Sequence, residues 1–171
     1  MAIRKILHYP DKRLRLPGEP VTDFGPALQQ LIDDMAETMY AAPGVGLAAT
    51  QIGESKRLFI VDVSSGEGPS DLRVFINPEI LESTGELTWQ EGCLSFPGVT
   101  EDIDRAAHVR VRALDKNGTS FEIEAEGLLA VAIQHEYDHL QGQLMIDHMG
   151  PLKKRLTHRK MVKRAEEQAS T

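Results

Sequence analysis

Residues 128–141 read Leu-Leu-Ala-Val-Ala-Ile-Gln-His-Glu-Tyr-Asp-His-Leu-Gln, an apolar run leading straight into H-E-x-x-H at His135–His139. With about 3.6 residues per turn, positions four apart share one helix face. His135 and His139 have that spacing, and Glu136 is reachable from the same side. Leu128, Leu129, Val131, Ala132 and Ile133 before the motif, and Leu140 after it, mark a helix that belongs in a core. Two imidazoles and a carboxylate are costly to bury without partners. One metal ion is the simplest partner, with Glu136 able to handle the proton of a bound water. As a bare string the motif is only moderately specific, because two surface histidines beside two acids give the same letters.

The third ligand decides what such a site does. The extended metalloprotease pattern H-E-x-x-H-x-x-G-x-x-H is followed through Gly142, but its last position is Met145, a poor ligand for a hard or borderline cation. Thermolysin-type proteases take a downstream glutamate; here the corresponding stretch is Thr157-His158-Arg159-Lys160, with no acid before Glu166. Asp147, His148 and His158 are weak downstream options. Upstream stands the one cysteine, Cys93, within Gln90-Glu91-Gly92-Cys93-Leu94-Ser95-Phe96-Pro97-Gly98. A thiolate and two imidazoles leave one tetrahedral position open, the catalytic arrangement. A lone cysteine is more often a small buried hydrophobe. The Gly-flanked setting and the missing third ligand favour coordination.

Gly44-Val45-Gly46-Leu47-Ala48-Ala49-Thr50-Gln51, Glu91-Gly92-Cys93-Leu94-Ser95 and Gln134-His135-Glu136-Tyr137-Asp138-His139 together resemble the three signature motifs of the peptide deformylases, in order and at plausible separations. The resemblance is to the bacterial, type 1-like branch and covers nearly the whole chain. It implies a metal-dependent hydrolase that removes the formyl group from the N-terminal formyl-methionine of new proteins and releases formate. Cys93, His135 and His139 would hold one divalent ion, Fe(II) physiologically, with Zn(II), Ni(II) or Co(II) possible in purified protein. A water on that ion would attack the formyl carbon, with Glu136 as general base and then general acid. The Gln51 side chain and the Leu94 backbone N–H would meet the oxyanion. The methionine side chain would enter an apolar pocket lined by Val45, Leu128, Val131 and His135, with Trp89 and Glu91 near its rim. Gly46 would pair with the substrate main chain. Many relatives carry a basic residue shortly after the cysteine segment; here Gly98-Val99-Thr100 stands there. Asp138 would anchor the helix through Arg105.

At 171 residues the chain has the length of one domain, read as a catalytic unit over 1–150 with residues 151–171 a basic helical tail of the same domain. One cysteine fits a reducing cytosol, and no signal-like or membrane-spanning apolar run stands out, so the expected location is cytoplasmic. The net charge of -7 hides an asymmetry: seven basic residues from Lys153 to Arg164 leave residues 1–152 with 12 positive and 24 negative side chains. A solvated basic face is the ordinary reading of such a tail, and contact with the ribosome is the alternative. No membrane or DNA partner is expected.

The expected fold is α+β: mainly antiparallel sheets packed around a central helix carrying H-E-x-x-H, with an N-terminal amphipathic helix and a C-terminal basic helix. The spacing of Leu28, Leu31, Ile32, Met35 and Met39 predicts a helix over 26–41, with Asp33, Asp34 and Glu37 toward the other side. Residues 57–63 read as a strand, 64–71 as a Gly-rich turn, and 72–76 as a strand ended by Asn77-Pro78. Residues 79–89 add another. Residues 109–114 and 121–125 flank the hairpin signal Asn117-Gly118. The central helix runs from 128 to 141, and the last helix covers 151–168. The rival functions are an endoprotease that shares the helix but not Cys93, and an RNA- or ribosome-binding module with a closed, four-ligand structural metal.

Overall fold

The computed structural model describes residues 2–64 and 69–169. Residues 65–68 of the predicted Gly-rich turn lie outside this range. In chain order the elements are α1 (Pro26–Ala41), β1 (Gly46–Ala48), β2 (Leu58–Val61), β3 (Arg73–Thr84), β4 (Leu87–Gly92), β5 (Thr100–Arg105), β6 (His108–Leu114), β7 (Ser120–Glu126), α2 (Gly127–Leu140) and α3 (Pro151–Ala169). Five strands form one antiparallel sheet in the order β1-β2-β3-β6-β7, and β4 and β5 form a separate hairpin. The α+β arrangement read from the sequence is the one observed.

β2 shows why α2 is central. Its four residues Leu58-Phe59-Ile60-Val61 are all buried. Successive side chains of a strand point to opposite faces. Phe59 and Val61 join Phe75, Val109, Val111, Ala130, Ile133 and Leu140 in the core under α2. Leu58 and Ile60 join Leu28, Leu31, Ile32, Met35 and Met39 of α1 on the other face. A sheet covered on both sides produces continuous apolar runs rather than alternation. A third cluster joins Leu7, Phe96, Val99, Ile103 and the stretch Leu144–Met149 to Met161 of α3.

The ends of α2 are set by backbone geometry. Gly127 at its start has φ 63 and Gly142 just past its end has φ 77, conformations in which side-chained residues are strained. A methyl on Gly142 would also lie 2.5 Å from the Arg15 carbonyl oxygen, so the chain can pass there only as glycine.

Three expectations need correction. Asn77-Pro78 does not end a strand: β3 continues to Thr84, with a register shift between Ile76 and Glu79, so the strand expected over 79–89 is divided between the end of β3 and the start of β4. Asn77 takes φ 50, and its amide exchanges hydrogen bonds with the Val21 backbone at 2.8 and 2.9 Å. Proline is tolerated at such a bulge because no ladder bond is asked of it. Asp34 does not face solvent with Asp33; it is buried and accepts bonds from Ala2 N (2.8 Å), Arg4 Nε (2.9 Å) and Gln30 Nε2 (2.7 Å). Strand β5 escaped the sequence reading altogether.

Among the described residues, no helix is long and apolar enough to cross a membrane.

Candidate metal centre

α2 carries His135 and His139 on one face, with ring centroids 5.1 Å apart. The loop after β4 brings Cys93 to them from the other side, its Sγ 3.4 Å from His139 Nε2. One donor atom from each of Cys93, His135 and His139 lies within 4.8 Å of the others, and this is the one such cluster among the described residues. Asp147, His148 and His158 are engaged elsewhere: by Arg15, Asp138 and Tyr9 respectively.

The donors are prepared for a cation. His135 Nδ1 donates to Glu91 Oε1 at 2.8 Å, which leaves Nε2 as its ligand atom. Burial alone would lower the His135 pKa, but Glu136, Cys93 and Glu91 outweigh it and raise the value well above normal. At His139 the balance goes the other way: burial, then the nearby His135 charge, outweigh the opposing pull of Asp138 and push its pKa down to about 3. A neutral imidazole offers its lone pair to a metal without first losing a proton. His139 Nδ1 and Glu136 Oε1 are buried without a hydrogen-bond partner among the described residues. Orphaned polar atoms around a thiolate and two imidazoles suit a borderline divalent ion. Three protein donors leave a coordination position open, which argues against a closed structural site.

A network behind the donors holds them still. Arg105 grips Glu91 through Nε (2.7 Å) and Nη2 (2.8 Å), and reaches Asp138 Oδ2 through Nη1 at 2.7 Å. The predicted Asp138–Arg105 contact is therefore present. Glu91 contributes to the cleft lining, but its carboxylate is buried, with both oxygens engaged. Its role is to orient His135.

The centre opens into a cleft of about 940 Å³. Val45, Gly46, Gln51, Trp89, Leu94, Leu128, Val131 and Glu136 all contribute to its wall. The Gln51 amide is fixed at both ends: Oε1 accepts from Ala48 N at 2.9 Å, and Nε2 lies 3.1 Å from Ser95 Oγ and 3.7 Å from Cys93 Sγ. Its N–H₂ therefore faces the metal donors. Gly46 passes so close to Glu136 that a methyl there would lie 2.6 Å from Oε2. Burial pushes the Glu136 carboxyl up to about 7, and a cation at the donors would pull it back down. Trp89 is 38% exposed, so it forms an edge of the opening rather than its floor.

A polypeptide deformylase family model matches residues 3–155. The chain belongs to the polypeptide deformylase family. Peptide deformylases of Azotobacter vinelandii and Pseudomonas aeruginosa are 53% and 52% identical to it, covering 95% and 99% of this chain and 96% and 100% of their own. The crystal structure of a peptide deformylase from Legionella pneumophila superposes with a TM-score of 0.92 at 49% identity, over 99% of both chains. Deformylase family membership makes this chain a hydrolase, and the three sequence motifs are the segments that meet at the cleft.

Sequence reasoning missed Ser95 as a partner of Gln51, and it missed His8 and Arg164 in the cleft wall. His8 and Arg164 are 156 positions apart, and no local pattern links them.

Proposed function

We propose that the chain removes the N-formyl group from formyl-methionine at the N-terminus of newly synthesised proteins, releasing formate. The single observation that carries this reading is the convergence of Cys93, His135 and His139 with the fixed Gln51 amide and Glu136 on one apolar-walled cleft. Cys93, His135 and His139 would hold one divalent ion, Fe(II) as the physiological choice and Zn(II), Ni(II) or Co(II) as substitutes. When bound, such an ion supplies Lewis acidity, polarising the formyl carbonyl and making water acidic near neutral pH.

The remaining work falls to the chain's own groups. Glu136 takes the proton of the attacking water and returns it to the departing amine. The Gln51 Nε2–H₂ and the Leu94 backbone N–H donate to the oxygen that gains charge. The Gln51 amide is already held by Ala48 N and Ser95 Oγ, which supports the reading that little reorganisation opposes it. Val45, Leu128 and Val131 receive the methionine side chain, and Trp89 closes over it. β1 is an edge strand paired only with β2, so Gly46 can pair its free side with an extended peptide. Such substrates arise where proteins are made, which places the enzyme in the cytoplasm.

The test is formate release from formyl-Met-Ala-Ser by protein purified without oxygen and loaded with Fe(II), with metal content measured in parallel. Cys93→Ala should lose both metal and release. Full metal occupancy with no release would sink the reading; metal retained by Cys93→Ala would return the third ligand to the endoprotease alternative.

A further inference from the structure

The cleft has a second end. α3 closes it where Arg164 lies in the wall with Ile6, His8 and Gly98. Lys160, one turn before Arg164 on the same helix face, donates to the Gly98 carbonyl at 3.3 Å. Arg164 Nη1 donates to His8 Nδ1 at 3.2 Å and to Gln168 Oε1 at 3.1 Å. Both acceptors are uncharged in that role, and among the described residues no carboxylate pairs with Arg164 or Lys160. Lys153 differs, since Glu101 neutralises it at 3.3 Å.

The acids of the cleft are at the other end. Glu91 is clamped by Arg105, and Glu136 stands beside the metal donors. The cleft therefore runs from a reaction centre to a cationic rim. At about 940 Å³ it lies near the top of the roughly 300–1,000 Å³ range of small-ligand sites, with room for more than a formyl-methionine. Burial, Arg164 and Lys5 all lower the His8 pKa, so His8 adds no competing charge and serves to aim the guanidinium.

We infer that Arg164, supported by Lys160 and aimed by His8, recognises a carboxylate on the substrate beyond its first residue. This rests on the deformylase reading of the same cleft. The carboxylate has two sources: an Asp or Glu side chain, or the free C-terminus of a short peptide. Arginine presents a planar fork of donors that a carboxylate can accept in pairs, and among the described residues the hydrogen bonds of Arg164 run through Nη1 alone. The contact lies away from the reacting bond, so it acts on substrate binding rather than on the chemical step.

The experiment compares amidated formyl-Met peptides carrying Glu or Gln at the second, third or fourth position, and a formyl tripeptide with a free or amidated C-terminus. The Fe(II)-loaded wild type should prefer the carboxylate form at one placement by about three- to tenfold in kcat/KM, through KM, with the preference shrinking as salt rises. Arg164→Gln should bring that ratio to about one, and Arg164→Lys should keep part of it. Preference only for the free C-terminus assigns the site to short peptides; preference for internal Glu assigns it to protein chains. A ratio of one at every placement in the wild type, or a preference that survives in Arg164→Gln, overturns the inference while leaving deformylation intact. No formate from any peptide overturns the deformylase reading and this one with it. The wild-type comparison needs no variant to fold.

Discussion

Glu91 Oε1 accepts the Nδ1 proton of His135 at 2.8 Å while the same carboxylate is held in two places by Arg105. One buried acid thus fixes both the ring orientation of a metal donor and the position of a guanidinium. Glu91→Gln keeps the size but weakens the hold on His135. Metal affinity should fall about 10–100-fold, measured by competition with a chelator. Glu91→Ala is less informative, since it leaves Arg105 buried with Asp138 alone and should cost about 3–5 kcal/mol of stability. Unchanged affinity in Glu91→Gln would remove the orienting role.

Glu136→Ala should bind metal as well as the wild type yet lose about 10²–10⁴-fold in turnover, the usual range for removing a general acid–base group. Metal content and formate release are read on the same sample. Substantial turnover in the metal-replete variant would take Glu136 out of the proton path.

Gly46→Ala tests the close passage of β1 over Glu136. Its new methyl would sit 2.6 Å from Oε2, so the carboxylate must move. A displacement near 1 Å costs on the order of 10²-fold in rate. A drop in kcat with a nearly unchanged melting temperature is expected. A large loss of stability with normal specific activity would mean that the backbone moved instead.

Acid sensitivity should come partly from Asp62, which is 4% exposed. Burial opposes its charge, but bonds from Ser64, Tyr40 and Ser70 outweigh this and hold its carboxyl well below the usual range. The folded pKa lies below the unfolded value of about 3.9, so the unfolded chain binds the proton first as pH falls. The stabilisation is full above about pH 5 and drains away through pH 4 toward the folded pKa. Asp62→Asn should cost about 1–3 kcal/mol at neutral pH and give a flatter stability curve below about pH 5. Denaturant titrations across that range measure both, and parallel curves for the two proteins would dismiss the role.

Ribosome contact through α3 is best tested by charge rather than by deletion. Met161 of α3 is fully buried against the core, so removing residues 152–171 would damage the fold itself. Lys154, Arg155, Arg159 and Lys163 are exposed and can be reversed to glutamate. Reversal should weaken ribosome binding and flatten its dependence on salt, since released counterions set that slope. Equal binding by the reversed protein would leave α3 as a solvated face.

Where a residue's neighbours lie within a few positions, the sequence announced its place. The bounds of α1 followed from Pro26 and the spacing of Leu28 to Met39, and the β6–β7 hairpin followed from Asn117-Gly118. The metal donors could be brought together on paper because α2 is periodic and Cys93 is the only thiol. Strand β5 was hidden because Thr-Glu-Asp-Ile-Asp-Arg offers only Ile103 as an apolar inward residue; its other buried side chain is the charged Arg105. Asp34 looked like a surface acid, and the depth of Glu91 went unread, because the arginines that make their burial tolerable, Arg4 and Arg105, are 30 and 14 positions away. Burial of an acid is decided by such distant partners, and composition along one helix or strand carries no trace of them.

β1 is three residues long, and its one neighbour in the sheet is β2. An unpaired sheet margin is ordinarily a hazard, a template on which other proteins can polymerise. Here the margin is too short to seat another sheet, and the cleft confines it. A slender single chain can reach it and a folded body cannot. On the proposed function, the same shortness that would let this margin take a substrate as a temporary strand makes it a poor template for a second copy of the sheet.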